Sequence, residues 1–299
     1  MSDRRTLRVG LTQWHATRDP ERNLGHALTA VTRSAADGAD LVLLPENGLM
    51  LGSSSEMRDR AFTPDSPEVV RLREAARETR TVVVLGGMKH RRSGRVTNSA
   101  LVIGRDGAVL GAYDKIHLFD ARIEGRSFEA SGVEQPGSEP LLLEVNGVTV
   151  GITICYDVRF PELYRSLARA GAEVLLVPAA FTRATGRAHW DVLLRSRAIE
   201  NGAFVVASAT VHGGQPGGDA FETYGHAMAV APWGEVVADL GEAPTAHRVV
   251  DLDLAEVAKA RAALPVLQQI RTDAYARTPV RLGAGAARPT EPHQEAEDE

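Results

Sequence analysis

Only one cysteine, Cys155, occurs in the 299 residues, which excludes an intramolecular disulfide and a thiolate-rich metal site and fits a reducing interior. No stretch approaches ~18 uncharged apolar residues, and residues 1–11 alternate charged and apolar side chains instead of forming the core of a secretion signal. A cytoplasmic chain with no membrane partner is the expectation. No basic stripe gathers the cations and the net charge is -5, so nucleic acid is not expected as a partner. No Gly-x-Gly-x-x-Gly joins an opening strand to a helix, which removes a dinucleotide-binding reading, and the histidines form no His-x-x-x-His or comparable metal cluster. Lysine is scarce as well: Lys89, Lys115 and Lys259 are the only ones among 34 cationic residues, so a lysine beside apolar neighbours stands out.

What is present suffices for one large core, with 43% hydrophobic residues. Leu7–Gln13 reads as a strand, Asn23–Ala35 as a helix with apolar positions at helical spacing, and Asp40–Pro45 as a buried strand ending at Glu46. Pro67–Thr79 predicts a helix and Thr81–Gly87 the next strand. Asn98–Ile103 and Ala108–Tyr113 form a hairpin pattern, as do Leu141–Val145 and Val148–Cys155 around Asn146-Gly147. Pro161–Ala170 predicts a proline-started helix, Glu173–Pro178 a strand, Trp190–Asn201 a helix and Ala203–Ala209 a strand. Further strands are expected at Ala227–Ala231, Glu235–Ala238 and His247–Asp251. A last helix over Asp253–Leu264 would carry Asp253 as N-cap and Glu256 in a capping box. Ser53–Arg60 and Gly213–Asp219 read as loops. So many apolar strands need helices on both sides, which favours a two-sheet core with helical outer layers. One domain is expected over residues 1–277, followed by a solvated acidic tail at 278–299.

The sharpest chemical signal is Gly151-Ile-Thr-Ile-Cys-Tyr-Asp-Val-Arg-Phe-Pro-Glu162. Cys155 stands where an apolar strand yields to a polar turn and a helix, at the carboxyl end of a strand where α/β sheets bind ligands. The pattern alone fits a nucleophile or a buried filler equally. Glu46 and Lys115 occupy analogous strand ends, and singly each reads as surface charge.

Together these segments resemble the nitrilase, or carbon–nitrogen hydrolase, superfamily over about Leu7–Leu267. The landmarks are Leu-Leu-Pro-Glu46-Asn, Tyr-Asp-Lys115-Ile-His-Leu-Phe-Asp and Cys155-Tyr-Asp-Val-Arg-Phe-Pro-Glu-Leu. Val-Pro-Ala-Ala-Phe-Thr182, Thr-Gly-Arg-Ala-His189-Trp, Arg197-Ala-Ile-Glu200-Asn and Tyr224-Gly-His-Ala-Met complete the series. The resemblance implies an α/β fold, a four-layer α-β-β-α sandwich with two mixed central sheets, and self-association as a homodimer or higher assembly through outer helices. It implies Glu46 as general base, Lys115 as electrostatic stabiliser and Cys155 as nucleophile, with no metal and no organic cofactor. A thiol is only a few per cent ionised at neutral pH, so a carboxylate that accepts its proton is what attack on an amide requires. Lys115 and the Tyr156 amide would then hold the oxyanion.

A second glutamate in the family usually follows the pattern Phe-x-Glu-Ser, whereas this chain has Phe128-Glu129-Ala130-Ser131. Glu129, one place early, is the candidate, with Glu124 the alternative. Phe181 and Thr182 are expected to line the pocket, and His189 and Trp190 to begin a packed helix. Arg159 could clamp a substrate carboxylate or form an ion pair with Asp157, Glu162 or Glu200, while Asp157 reads as structural. The pattern is most similar to the omega-amidase and deaminated-glutathione amidase branch, although Ala209-Thr210 departs from it. The expected activity is hydrolysis of a small, carboxylate-bearing amide to acid and ammonia. An N-carbamoyl amino acid amidohydrolase, a nitrilase and a catalytically silent oligomeric scaffold are the alternatives.

Overall fold

The computed structural model describes residues 5–213 and 220–282. The elements run β1 (Thr6–Trp14), α1 (Pro20–Ala36), β2 (Leu41–Leu43), α2 (Ser54–Asp59), α3 (Pro67–Thr79), β3 (Val82–Arg92), β4 (Arg95–Ile103) and β5 (Val109–Asp114). A small hairpin follows, β6 (Asp120–Ile123) and β7 (Arg126–Glu129). The second half contains β8 (Leu141–Val145), β9 (Val148–Ile152), α4 (Pro161–Arg169), β10 (Val174–Leu176), α5 (Arg183–Asn201), β11 (Phe204–Ala207) and β12 (Ala209–Thr210). It closes with β13 (Met228–Val230), β14 (Val236–Asp239), β15 (Thr245–Asp253) and α6 (Ala255–Ala263).

Two mixed sheets form the centre. One has the order β12-β1-β2-β3-β4-β5, with β15 pairing antiparallel along the whole of β1, and the other has the order β14-β13-β11-β10-β9-β8. The period-two alternation of the strands decides which side chain meets which layer. Leu41 and Leu43, Val82 and Val84, and Ala100 and Val102 join the core shared with the second sheet. Their neighbours Val42, Val83, Leu85, Leu101 and Ile103 face the opposite way, onto Leu24, Ala27 and Val31 of α1 and Val69, Leu72 and Ala76 of α3. Leu163 and Leu167 of α4 and Leu194 and Ala198 of α5 cover the second sheet. The result is the helix–sheet–sheet–helix sandwich expected from the sequence.

Four local expectations are corrected. Residues 53–60 are not a loop: Ser53 and Glu56 form a reciprocal capping box at the start of α2. The helix expected from Trp190 begins at Arg183, in a stretch without apolar periodicity. Gly186 in its first turn is required, because a Cβ there would lie 2.3 Å from the Tyr224 ring. The capping box expected at Asp253 and Glu256 does not form, since Leu254 is the N-cap residue and makes no side-chain cap. Asp253 instead accepts from the Ala255 amide at 3.1 Å. The strand expected to run into Cys155 stops at Ile152.

One compact unit reaches Leu267, and a second begins at Gln268 with α7 (Thr272–Tyr275). Most of the expected acidic tail, and the loop at 214–219, lie outside the described residues. Among the described residues no helix is long and apolar enough to cross a membrane.

Candidate active site

β9 ends at Ile152, the backbone continues through Thr153 and Ile154, and Cys155 opens a short 3-10 turn, Cys155–Arg159, before Pro161 starts α4. Cys155 has φ +47, a left-handed conformation costly for a side chain with a Cβ, so the surrounding bonds must hold it. Its amide donates to Pro178 O at 2.9 Å. Asp157 braces the turn from behind: its carboxylate accepts from Tyr113 Oη (2.7 Å), the Ile154 amide (2.9 Å), the His117 amide (3.1 Å) and His117 Nδ1 (2.8 Å). Arg197 adds a bond to Val158 O at 2.8 Å while pairing with Glu200.

Glu46 follows β2 at the carboxyl end of the first sheet, and Lys115 follows β5. Lys115 Nζ donates to Glu46 Oε1 at 2.9 Å, as does Asn98 Nδ2 at 2.9 Å, and the Ala180 amide donates to Oε2 at 2.8 Å. The Cys155 thiol lies beside this carboxylate, lines the same cavity and feels its charge. Three chain segments and the thiol therefore converge on one buried carboxyl group. Burial by itself would raise the Glu46 pKa, but Lys115, Lys89 and the hydrogen bonds outweigh it and hold the group below the ordinary carboxylate range. Burial would lower the Lys115 pKa, and the Glu46 charge overrides that to keep the ammonium protonated. Burial and the Glu46 charge push the Cys155 thiol well up, against the pull of Lys115. The resting state is thus a thiol, a carboxylate and an ammonium, ready for proton transfer once a substrate carbonyl arrives.

These groups line one cavity that opens to solvent. Glu129, Tyr156, Arg159, Phe181 and Thr182 line it too, so the residues singled out in the sequence meet at one place. Glu129 ends β7 and is exposed at the cavity wall, whereas Glu124 is exposed in the β6–β7 turn and borders a neighbouring hollow instead. Arg159 forms none of the expected ion pairs with Asp157, Glu162 or Glu200. Its guanidinium lies 5.0 Å from the Phe181 ring centre and 5.8 Å from that of Tyr156, and donates to His189 Nδ1 at 3.2 Å. His189 and Trp190 sit within α5, and the Trp190 indole donates to His226 O at 2.9 Å. An aromatic run, Phe221, Phe128, Phe119 and Tyr156, with successive ring centres 5.0–5.6 Å apart, ties the β6–β7 hairpin to the cysteine turn. Among the described residues, no group of three or more His, Cys, Asp or Glu could hold a metal ion.

Residues 8–262 match the family model described as carbon-nitrogen hydrolase. The chain belongs to that family. It is 37% identical over 255 residues to a deaminated glutathione amidase of Synechocystis sp., an overlap spanning 82% of this chain and 91% of that protein. It is 33% identical over 274 residues to the Homo sapiens omega-amidase NIT2, spanning 91% and 97%. The crystal structure of the C. elegans NitFhit protein superposes with a TM-score of 0.83 at 35% identity, covering 90% of this chain and 66% of that one. The protein is therefore a nitrilase-superfamily enzyme of the amidase type, a hydrolase of carbon–nitrogen bonds.

Three pocket residues of this carbon–nitrogen hydrolase escaped the sequence reading. Asn98 opens a predicted strand and carries no motif. Lys89 and Glu134 form a buried ion pair, Nζ to Oε2, at the cavity wall. The scarcity of lysine was the one available hint for Lys89. Nothing in Ser131-Gly-Val-Glu134 distinguishes its glutamate from the exposed ones beside it.

Proposed function

We infer that the enzyme hydrolyses a small, carboxylate-bearing amide to the acid and ammonia through a thioester on Cys155. Glu46 takes the thiol proton as sulfur bonds to the amide carbon, and Lys115 with the Tyr156 amide stabilises the negative charge that develops on oxygen. Glu46 then gives the proton to the departing nitrogen, which leaves as ammonia with formation of the thioester. A water molecule, deprotonated by the same carboxylate, adds to the thioester carbon. Collapse releases the acid and restores the thiol. Glu129 at the cavity wall is assigned to substrate positioning, with Phe181 and Thr182 shaping the acyl side.

The observation that carries this reading is the buried Glu46 carboxylate, which accepts from Lys115 and lines one cavity with Cys155. The carboxylate preference rests on Arg159, whose guanidinium borders the cavity without a carboxylate partner among the described residues. The likeness to a deaminated glutathione amidase and an omega-amidase agrees with it. Self-association and a cytoplasmic location remain parts of the same proposal.

Ammonia release is the test, measured across omega-amides of dicarboxylic acids, deaminated glutathione, N-carbamoyl amino acids and simple nitriles, with Cys155→Ala as control. Preference for carboxylate-bearing amides is the expected result. Turnover of nitriles or carbamoyl substrates alone would reject the substrate class, and undiminished turnover by Cys155→Ala would reject the mechanism.

A further inference from the structure

Two of the three lysines in this chain are buried, and both line the Cys155 cavity, while Lys259 is exposed on α6. The chain uses arginine at nearly every other cationic position, so the compact ammonium is concentrated where a point charge in a small space is needed. Lys115 is accounted for by Glu46. Lys89 is not, and its side chain is 8% exposed against 1% for its partner Glu134.

Removing two charges from water costs several kcal/mol per ion, and an apolar pair could fill the same volume without that cost. Their location gives the charges a use. Lys89 stands opposite Asn98 in the β3–β4 register, and the Asn98 amide donates to Glu46. Glu134 lies on a segment laid against β4 and Lys115, by bonds from the Gln135 amide to Val96 O and from the Gly137 amide to Lys115 O, both 2.9 Å. The two ion pairs therefore stand on adjoining segments and line one cavity.

We propose that Lys89 is a positioning residue for this reaction: held by Glu134, it closes an alternating ring of charges, Glu46, Lys115, Glu134 and Lys89, that keeps Glu46 an anion beside the nucleophile. This rests on Glu46 being the base. The field runs in the matching directions, since Lys89 favours the charged form of Glu46 and Glu134 favours that of Lys115. The titratable and charged groups facing Glu46 are Lys115 after β5, Lys89 on β3 and Cys155 after β9, with Arg159 and Glu129 elsewhere on the cavity wall. Of the two lysines whose charge acts on Glu46, Lys89 is the one that does so without a hydrogen bond to the carboxylate. Its effect is purely electrostatic and separable from the proton transfer itself.

The test compares wild type with the uncharged double variant Lys89→Met/Glu134→Gln and with Lys89→Arg. Two pH profiles are recorded, kcat/KM for the amide turned over best and the rate of Cys155 alkylation by iodoacetamide, alongside thermal unfolding. In the double variant the acidic limb of both profiles should move up by about one pH unit, so that both rates fall about tenfold at pH values below the limb, with KM changed less than twofold. Lys89→Arg, which keeps the charge, should retain the wild-type limb. A folded double variant with the wild-type limb in both profiles would overturn the proposal. If Met and Gln do not support folding, Lys89→Gln/Glu134→Gln makes the same comparison with a hydrogen bond kept across the gap. Alkylation needs no substrate, so failure to hydrolyse any amide would sink the proposed function while the alkylation limb still decides the role of Lys89.

Discussion

Lys115 donates to Glu46 Oε1 at 2.9 Å across 69 positions of sequence, and each side chain is only 4% exposed. Neither charge has water to lean on, so each sets the protonation of the other. Removing one partner leaves the other buried and uncompensated, which costs about 3–5 kcal/mol. Glu46→Gln is accordingly expected to lower stability by that order in urea unfolding. Its kcat/KM for the preferred amide should drop about 10²–10⁴-fold, the usual contribution of a positioned base. Ammonia release within threefold of wild type would remove Glu46 from the role of base.

Cys155 makes the stability of the fold depend on alkaline pH. Its thiol is held protonated in the folded protein, while in the unfolded chain it ionises near pH ~8.5. A folded pKa above the unfolded one gives stability that is complete below that lower value and is lost as pH rises beyond it. Between pH 9 and 10 the wild type should therefore lose about 1.4 kcal/mol more than Cys155→Ala, one proton's worth per pH unit. Parallel stability curves for the two proteins across that interval would contradict this.

Asp157 accepts four hydrogen bonds from three residues, Tyr113, His117 and Ile154, and fixes the turn in which Cys155 takes its left-handed conformation. Asp157→Asn must present a donor to at least one of those donors. A loss of about 2–4 kcal/mol is expected, with a fall in kcat larger than any change in KM, because the sulfur is mis-aimed. Calorimetry and steady-state kinetics check the two halves separately.

The base also depends on a residue with no side chain. A Cβ at Gly87 would sit 2.4 Å from Asn98 Oδ1 and 3.0 Å from Glu46 Cγ, so β3 passes beneath the carboxylate only because Gly87 is there. Gly87→Ala should displace Glu46 from Lys115 and cut kcat at least tenfold, with about 1–3 kcal/mol of destabilisation from overpacking. Wild-type kinetics in the alanine variant would mean that Asn98 can move aside without disturbing Glu46.

Arg159 offers the substrate test. Arg159→Met keeps the apolar stem against Phe181 but removes the guanidinium. KM for a carboxylate-bearing amide should rise about tenfold or more, while a neutral amide of the same length is turned over as before. Equal effects on both substrates would assign Arg159 to the turn rather than to the ligand.

Much of the sandwich was legible because its strands carry a period-two code. In β2 and β3, alternate apolar residues face the second sheet and the outer helices, and both sides are buried, so the runs read as nearly continuous. α3 was delimited correctly at both ends by Pro67 and Thr79. The start of α5 was not, since Arg183–His189 is polar and contains Gly186, which the close approach of the Tyr224 ring requires. α2 was missed for a related reason: six residues are too few for a periodic pattern, and the Ser53–Glu56 capping box was the only local mark.

The order of residue types along the chain by itself determined the layers, because hydrophobic alternation and turn chemistry act over a few neighbours; Glu46, Lys115 and Cys155 stood out only through their resemblance to the carbon–nitrogen hydrolases, since each alone reads as filler or surface charge. The same order left the surroundings of the base undetermined. Asn98, Lys89 and Glu134 join the pocket through strand register and through bonds from the Gln135 and Gly137 amides to Val96 and Lys115, contacts made between segments that local pattern does not relate. Charges act through space and are strongest where water is excluded, so which carboxylate meets which ammonium was decided only when the two sheets closed over them.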